Sequence, residues 1–366
     1  MLRPTARLSA SFRRWFATGG LPPSTPPISR RIAPQLAFTA GGISLALGSA
    51  AYLTNRDTLA RSPASALALD GQGPLFSSWR RRLTTGLSPS LARQRAEEAY
   101  ARAGEFVRSV PGNRLALIAA ENWLEAGEAK RTALGLIAGF AGVWILWRLP
   151  ARVRLGRWLA HDALSGKSVT LLTSTFSHRT IPHLLFNSLA LYSFTSATFQ
   201  FLNTSDSLPR ATSRYEYLAL FVSAGLVSAA ASHVWFSRVI AGRIMQAYGP
   251  KAARDAIVPS LGASGAVYAL VTLTALSFPS TSISLIFLPF FPLPIGLATV
   301  GLVAVDVVGL VRGWRAFDHA AHLAGAATGA AYWAFGHDAF ERLRQALWPA
   351  QRRVEAEQRA RRGYAA

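Results

Sequence analysis

Hydrophobic residues in this chain gather into seven stretches, at about 36–53, 132–149, 183–202, 215–236, 258–278, 293–311 and 319–336. Each approaches the ~20 apolar residues that an α-helix needs to cross ~30 Å of hydrocarbon. In lipid an apolar run of that length satisfies its own backbone groups only as a helix, so the pattern predicts an all-α membrane protein. The first stretch is set apart by a mixed-charge connector over 54–131, whereas the last six follow one another at shorter intervals. One isolated helix plus a compact bundle of six is the expected architecture. Within the connector, Ser88-Pro89 opens an amphipathic helix with Leu91, Ala99, Ala103, Phe106 and Val110 on one face, and Pro111-Gly112 ends it. Residues 337–366 read as a basic C-terminal tail.

Composition supports the membrane assignment and narrows the chemistry. The chain is 51% hydrophobic and 16% charged, too apolar for an ordinary soluble protein of this length. Cysteine is absent, which removes disulfides, thiolate metal sites and a cysteine nucleophile. The net charge of +21 is carried almost wholly by arginine, since lysine stands only at Lys130, Lys167 and Lys251. The arginines occupy the N-terminal leader, the loops and the C-terminus. No basic helix face interleaved with stacking aromatics appears, so no nucleic-acid partner is expected.

The leader reads as an address. Arg3, Arg7, Arg13 and Arg14 alternate with Leu2, Leu8, Phe12, Trp15 and Phe16, and no acidic residue precedes Asp57. That make-up is expected of a mitochondrial transit peptide, and Leu21 to Pro34 continues as a Pro-rich spacer. Residues 1–35 are therefore taken as transit peptide plus spacer, and the chain as a multi-pass protein of the mitochondrial inner membrane. Short loops at the heads of the third, fifth and seventh stretches hold most of the loop arginines, which points that face toward the matrix.

Leu261-Gly262-Ala263-Ser264-Gly265 stands in the fifth stretch, His183 heads the third and His322 heads the seventh. Helices alternate in direction across a bilayer, so these three enter from one face and bring Ser264, His183 and His322 to similar depth. Polar and ionisable groups in lipid are costly and mark function, and a serine becomes a useful nucleophile beside a histidine base. Taken singly, each residue has an ordinary explanation: Gly-Ala-Ser-Gly as a helix-packing patch, His183 and His322 as interfacial hydrogen-bonders, Asn187 as a bridge, Tyr268 as a core aromatic. Asp306, late in the sixth stretch, is expected to make a structural hydrogen bond. His161, His233, His319 and His337 belong to no motif and are expected at the surface or interface. Zinc chemistry would want His-Glu-x-x-His and an aspartyl protease Gly-x-Gly-Asp; neither occurs.

Four motifs in order resemble the rhomboid intramembrane serine proteases over residues 132–336. Phe176-Ser177-His178 with His183-Leu184-Leu185-Phe186-Asn187 is similar to the family's second core helix. Gly262-Ala263-Ser264-Gly265 with Tyr268 resembles its nucleophile motif, and His322, Gly325 and Gly329 resemble its last core helix. The family's Trp-Arg loop pair is met only by Arg157-Trp158, in reverse order. The resemblance implies a six-helix rhomboid-like bundle with one added N-terminal helix, as in the mitochondrial branch. It implies Ser264 as nucleophile, His322 as base and Tyr268 packed on that base. His183, Asn187 and the Ser264 N–H become oxyanion donors, with support from Gly262 and His178. Gly265, Gly325 and Gly329 then form the helix-packing face, and no cofactor or metal is called for. The implied partners are the lipid bilayer and single-pass membrane substrates, including a dynamin-like GTPase that controls fusion. A catalytically dead rhomboid-like scaffold and a multi-pass transporter are the competing readings.

Overall fold

The computed structural model describes residues 28–62, 126–150, 152–204, 207–285 and 288–362. The leader through residue 27 and the amphipathic connector helix from Ser88 lie outside the described residues. Helix α1 spans Ala33–Ala60 and α2 spans Glu128–Leu146, followed by the short α3 (Arg152–Leu159) and α4 (Thr170–Thr173). Then come α5 (Ile181–Leu202), α6 (Arg214–Val234) and α7 (Ala241–Ala256), the last two joined through a wide turn at Trp235–Ile240. Helix α8 (Ser264–Ser277), a hairpin of β1 (Ser282–Leu285) and β2 (Leu288–Pro294), α9 (Ile295–Arg312), α10 (His319–Ala331) and α11 (His337–Arg361) complete the order. Four helical segments among the described residues are long and apolar enough to cross a membrane: α1, α2, the run Arg214–Ala256, and α9. This is an all-α membrane fold carrying one small hairpin.

Several boundaries differ from the hydrophobic pattern, each for a local reason. The fifth stretch becomes helical only at Ser264, because Pro259 disfavours helical geometry at Val258 and Gly262 sits at φ +129°. Ser264 is thus the first residue of α8 and not two turns inside it. With 14 residues, α8 is about 21 Å long, shorter than the hydrocarbon core. The sixth stretch gives up only 293–294 to the hairpin, where Ser282 pairs with Pro294 and Ile283 with Leu293; Pro294 has no N–H for a helix to use, and α9 starts at Ile295. Helix α1 runs to Ala60, taking in residues 54–60 of the expected connector. The last residues of the Pro-rich spacer are held in place, since the Ser29 N–H donates to Leu164 O at 3.0 Å and Arg30 Nε to Ser237 O at 2.9 Å.

The expected basic tail is a helix docked on the bundle. On α11, Arg344 is fully buried and bonds Asn55 of α1 (3.0 Å) and Glu341 (2.9 Å). Arg210 pairs with both Glu216 and Glu341, and Glu216 also accepts from Tyr332 at 2.7 Å and meets His337 at 2.8 Å. Each buried charge here has an opposite partner, the condition under which burial is tolerated. The cluster ties α1, α6, α11 and Tyr332, the residue after α10, together at the end of the bundle where α5 finishes and α6 begins.

Helix α8 lies at the centre, buried at Gly265, Ala266, Val267, Ala269, Leu270, Val271 and Leu273. Phe140, Leu191, Leu220 and Phe221 pack with it in one core. Its closest neighbour is α10. A Cβ added at Gly325 would fall on the Gly265 carbonyl, and one at Gly329 on the Ala269 carbonyl. Two small residues four apart therefore let the two backbones touch. Gly329→Ala should lower stability by about 1–3 kcal/mol through overpacking. Gly301→Ala, with open space at its α-carbon, should be neutral or gain up to about 1 kcal/mol from helix propensity. Thermal unfolding in detergent checks the pair of opposite signs.

Candidate active site

Ser264 reaches its position through an anchored loop. Residues 257–263 form an irregular loop, in which Ser260 exchanges both backbone hydrogen bonds with His161 (2.8 and 2.9 Å). The Gly262 N–H donates to Ser174 O at 2.9 Å, and Ser260 Oγ donates to Asp318 Oδ2. Asp318 also receives the Ser232 hydroxyl and caps α10 by accepting from the Ala321 N–H at 3.1 Å. One carboxylate thereby joins α6, the loop before α8 and the start of α10.

His322 lies in the first turns of α10, opposite the start of α8. Its Nε2 is 2.8 Å from Ser264 Oγ, and its ring stacks on Tyr268 with centroids 4.4 Å apart and planes 11° from parallel. Tyr268 is one turn along α8 from Ser264, on the same face. Asp306 enters from α9: its Oδ1 is 3.1 Å from His322 Nδ1 and 2.5 Å from His319 Nδ1. Ser264, Tyr268, His322 and Asp306 thus converge from three helices.

His183 and His178 approach from the other side of the Gly262 turn. A Cβ at Gly262 would sit 2.7 Å from the His183 ring, so the positive φ and the close imidazole both require glycine there. Thr180 caps α5 by accepting from the His183 N–H at 3.3 Å. Asn187 is buried, and its Nδ2 donates to the His183 carbonyl at 2.9 Å, which commits one of its two amide protons within its own helix. His178 is buried, with its Nε2 facing the Ala263 N–H at 3.4 Å.

Residues 165–338 match the Rhomboid domain. That segment is a rhomboid domain. The match contains Ser264, His322, His183, Asn187, Tyr268 and Asp306, and runs from the loop before α4 to the first residues of α11. It starts later than the motif resemblance, leaving α2 outside. The chain is 33% identical over 227 residues to "Presenilin-associated rhomboid-like protein, mitochondrial" of Homo sapiens, covering 62% of this chain and 53% of that protein. It is 32% identical over 218 residues to "Rhomboid protein 1, mitochondrial" of Saccharomyces cerevisiae, covering 58% and 54%. With "RHOMBOID-like protein 12, mitochondrial" of Arabidopsis thaliana the figures are 29% over 217 residues, 58% and 61%. The matched part spans about half the length of these curated relatives.

The structure also corrects the expectation for four histidines. His161, His233, His319 and His337 are all buried, each against a polar partner: His161 with His233 (2.9 Å) and Thr170 (2.8 Å), His319 with Asp306, His337 with Glu216. Asp318 went unremarked in the sequence, although Asp before an apolar run is a helix-start signal. Burial keeps His161 and His178 in the loops neutral, pushing each from about 6.5 to about 3, with nearby His233 and His183 adding to the effect.

The unfolded chain takes up protons between pH 6.5 and 3 that these two folded imidazoles refuse. Their contribution is complete above about pH 6.5 and is lost as pH falls toward 3. The thermal midpoint should fall as pH is lowered from 7 to 5. His178→Gln should lower the midpoint at pH 7 and make that fall less steep; an unchanged slope would contradict the assignment.

Proposed function

We propose that this chain is an intramembrane serine endopeptidase of the mitochondrial inner membrane that cuts single-pass proteins in or near their transmembrane helix. The observation that carries the reading is the 2.8 Å contact between Ser264 Oγ and His322 Nε2 inside an apolar bundle. Ser264 Oγ attacks the scissile carbonyl carbon while His322 Nε2 takes its proton. The same proton passes to the amine nitrogen as the C–N bond breaks, and water then hydrolyses the acyl-serine by the reverse route. The developing oxyanion is met by the Ser264 N–H, a first-turn group with no acceptor within its helix. The His183 ring and the uncommitted amide proton of Asn187 supply the other donors.

A substrate helix keeps its carbonyls bonded to itself in lipid, so the serine acts on segments that unwind easily. Small or helix-breaking residues near the exposed end of the substrate helix favour cleavage. The basic, acid-free leader and the mitochondrial names of the relatives support the location, and carbonate-resistant recovery in inner-membrane fractions checks it.

The test is cleavage of a single-pass substrate by the purified full-length chain in liposomes. Ser264→Ala and His322→Ala should each abolish turnover while the protein remains inserted. Asn187→Ala should slow it by roughly 10²–10³-fold, the cost of one oxyanion donor. Turnover retained by Ser264→Ala would overturn the Ser264 mechanism, and a wild type that binds the substrate without cutting it would leave the scaffold reading in its place.

A further inference from the structure

We propose that Asp306 is a positioning residue for the base, making the site a Ser264–His322–Asp306 relay and not a bare pair; the inference rests on the proteolytic reading above. A carboxylate has no proton to give, so an imidazole nitrogen facing it must be the one that carries N–H. Asp306 Oδ1 lies 3.1 Å from His322 Nδ1, which places the proton on Nδ1. The opposite nitrogen, Nε2, is left as an acceptor 2.8 Å from the Ser264 hydroxyl. The wrong tautomer would present N–H to the serine and could not take its proton.

The placement is built. Asp306 is 2% exposed on an apolar helix, where an unpartnered carboxylate would be expensive. Its position is set from the other side by His319, whose Nδ1 is 2.5 Å from the same oxygen. The His319 ring fills the notch left by Gly309, one turn along α9 from Asp306: a Cβ at Gly309 would collide with that ring. Phe317 covers both imidazoles, with ring centroids 6.2 Å from each. His319 therefore fixes the carboxylate, the carboxylate fixes His322, and Tyr268 holds the plane of the ring by stacking.

During the reaction the Ser264 proton moves to His322 Nε2 as the Oγ–C bond forms, giving an imidazolium with both nitrogens protonated. Its charge faces the Asp306 carboxylate, which keeps no proton. The proton leaves from Nε2 to the departing amine, and His322 returns to its starting tautomer. Asp306 acts through His322 and touches no substrate atom.

The experiment measures kcat and KM for single-pass substrate cleavage in proteoliposomes for the wild type, Asp306→Asn, His319→Phe and Ser264→Ala. Asn is isosteric and offers an N–H to His322, favouring the unproductive tautomer. Asp306→Asn should lower kcat by a factor on the order of 10²–10⁴ and leave KM within about threefold. His319→Phe removes the second partner and keeps the Asp306–His322 contact, so its kcat should fall less than about tenfold. If Asp306 served only to pair with His319, the two variants would lose activity equally, and that result would overturn the inference even if Asp306→Asn folded poorly. An Asp306→Asn kcat within threefold of wild type would also overturn it. Ser264→Ala separates this from the parent reading: turnover in that variant sinks the protease, whereas a dead Ser264→Ala beside a normal Asp306→Asn sinks only the relay.

Discussion

The direct backbone contact between α8 and α10 is the constraint on which the rest of the structure depends. Gly325 lies against the Gly265 carbonyl and Gly329 against the Ala269 carbonyl, so the two helices approach more closely than any side chain would allow. Without water to drive helices together, small residues that maximise backbone contact are the available means. The contact sets the lateral distance between helices, and the Asp318 cap with its two serine donors sets their axial register. Together they bring a first-turn serine within hydrogen-bonding distance of a histidine on the neighbouring helix.

A second constraint is that much of the buried polar chemistry of this bundle gathers into two sets, one at each end. The site holds serine, tyrosine, two histidines and one carboxylate from three helices. At the other end, Arg210, Glu216, Glu341, Arg344 and His337 form a connected set with Tyr332 and Asn55. Between these ends the core is aliphatic and aromatic. Polar chemistry at both ends and apolar packing between them let α8 carry a serine paired with a histidine at its tip while most of its length stays buried. Docking of α11 on α1 also explains how a strongly basic C-terminus is accommodated, since Arg344 and Arg359 are each paired with a glutamate.

The helical order and the Ser264–His322 pairing were legible because two independent signals agreed: helix direction placed both residues at one depth, and glycine spacing placed their helices together. Tyr268 stacks as the motif implies. Asp306 was open to the same reasoning, because a residue late in the sixth stretch returns to the face where the fifth and seventh begin; it was read only as a structural hydrogen-bonder, since its partners lie on a different helix that periodicity does not reveal. For the same reason the buried histidines were misplaced, each being satisfied by a contact distant in sequence. The hairpin went unseen because its strands fall almost wholly between the fifth and sixth stretches, where the hydrophobic pattern offers no element, and the prolines at 289, 292 and 294 weaken a strand signal. The docked α11 was hidden by its charge, since composition reports arginine and not the glutamate that neutralises it.

The central claim is that Ser264 is made nucleophilic by His322 within the bundle. Peptide mapping by mass spectrometry after fluorophosphonate treatment of the full-length protein tests it directly. The account predicts a single adduct on the peptide bearing Ser264, lost in His322→Ala although that variant keeps its serine. An adduct of equal yield in His322→Ala, or one confined to another residue, would contradict it.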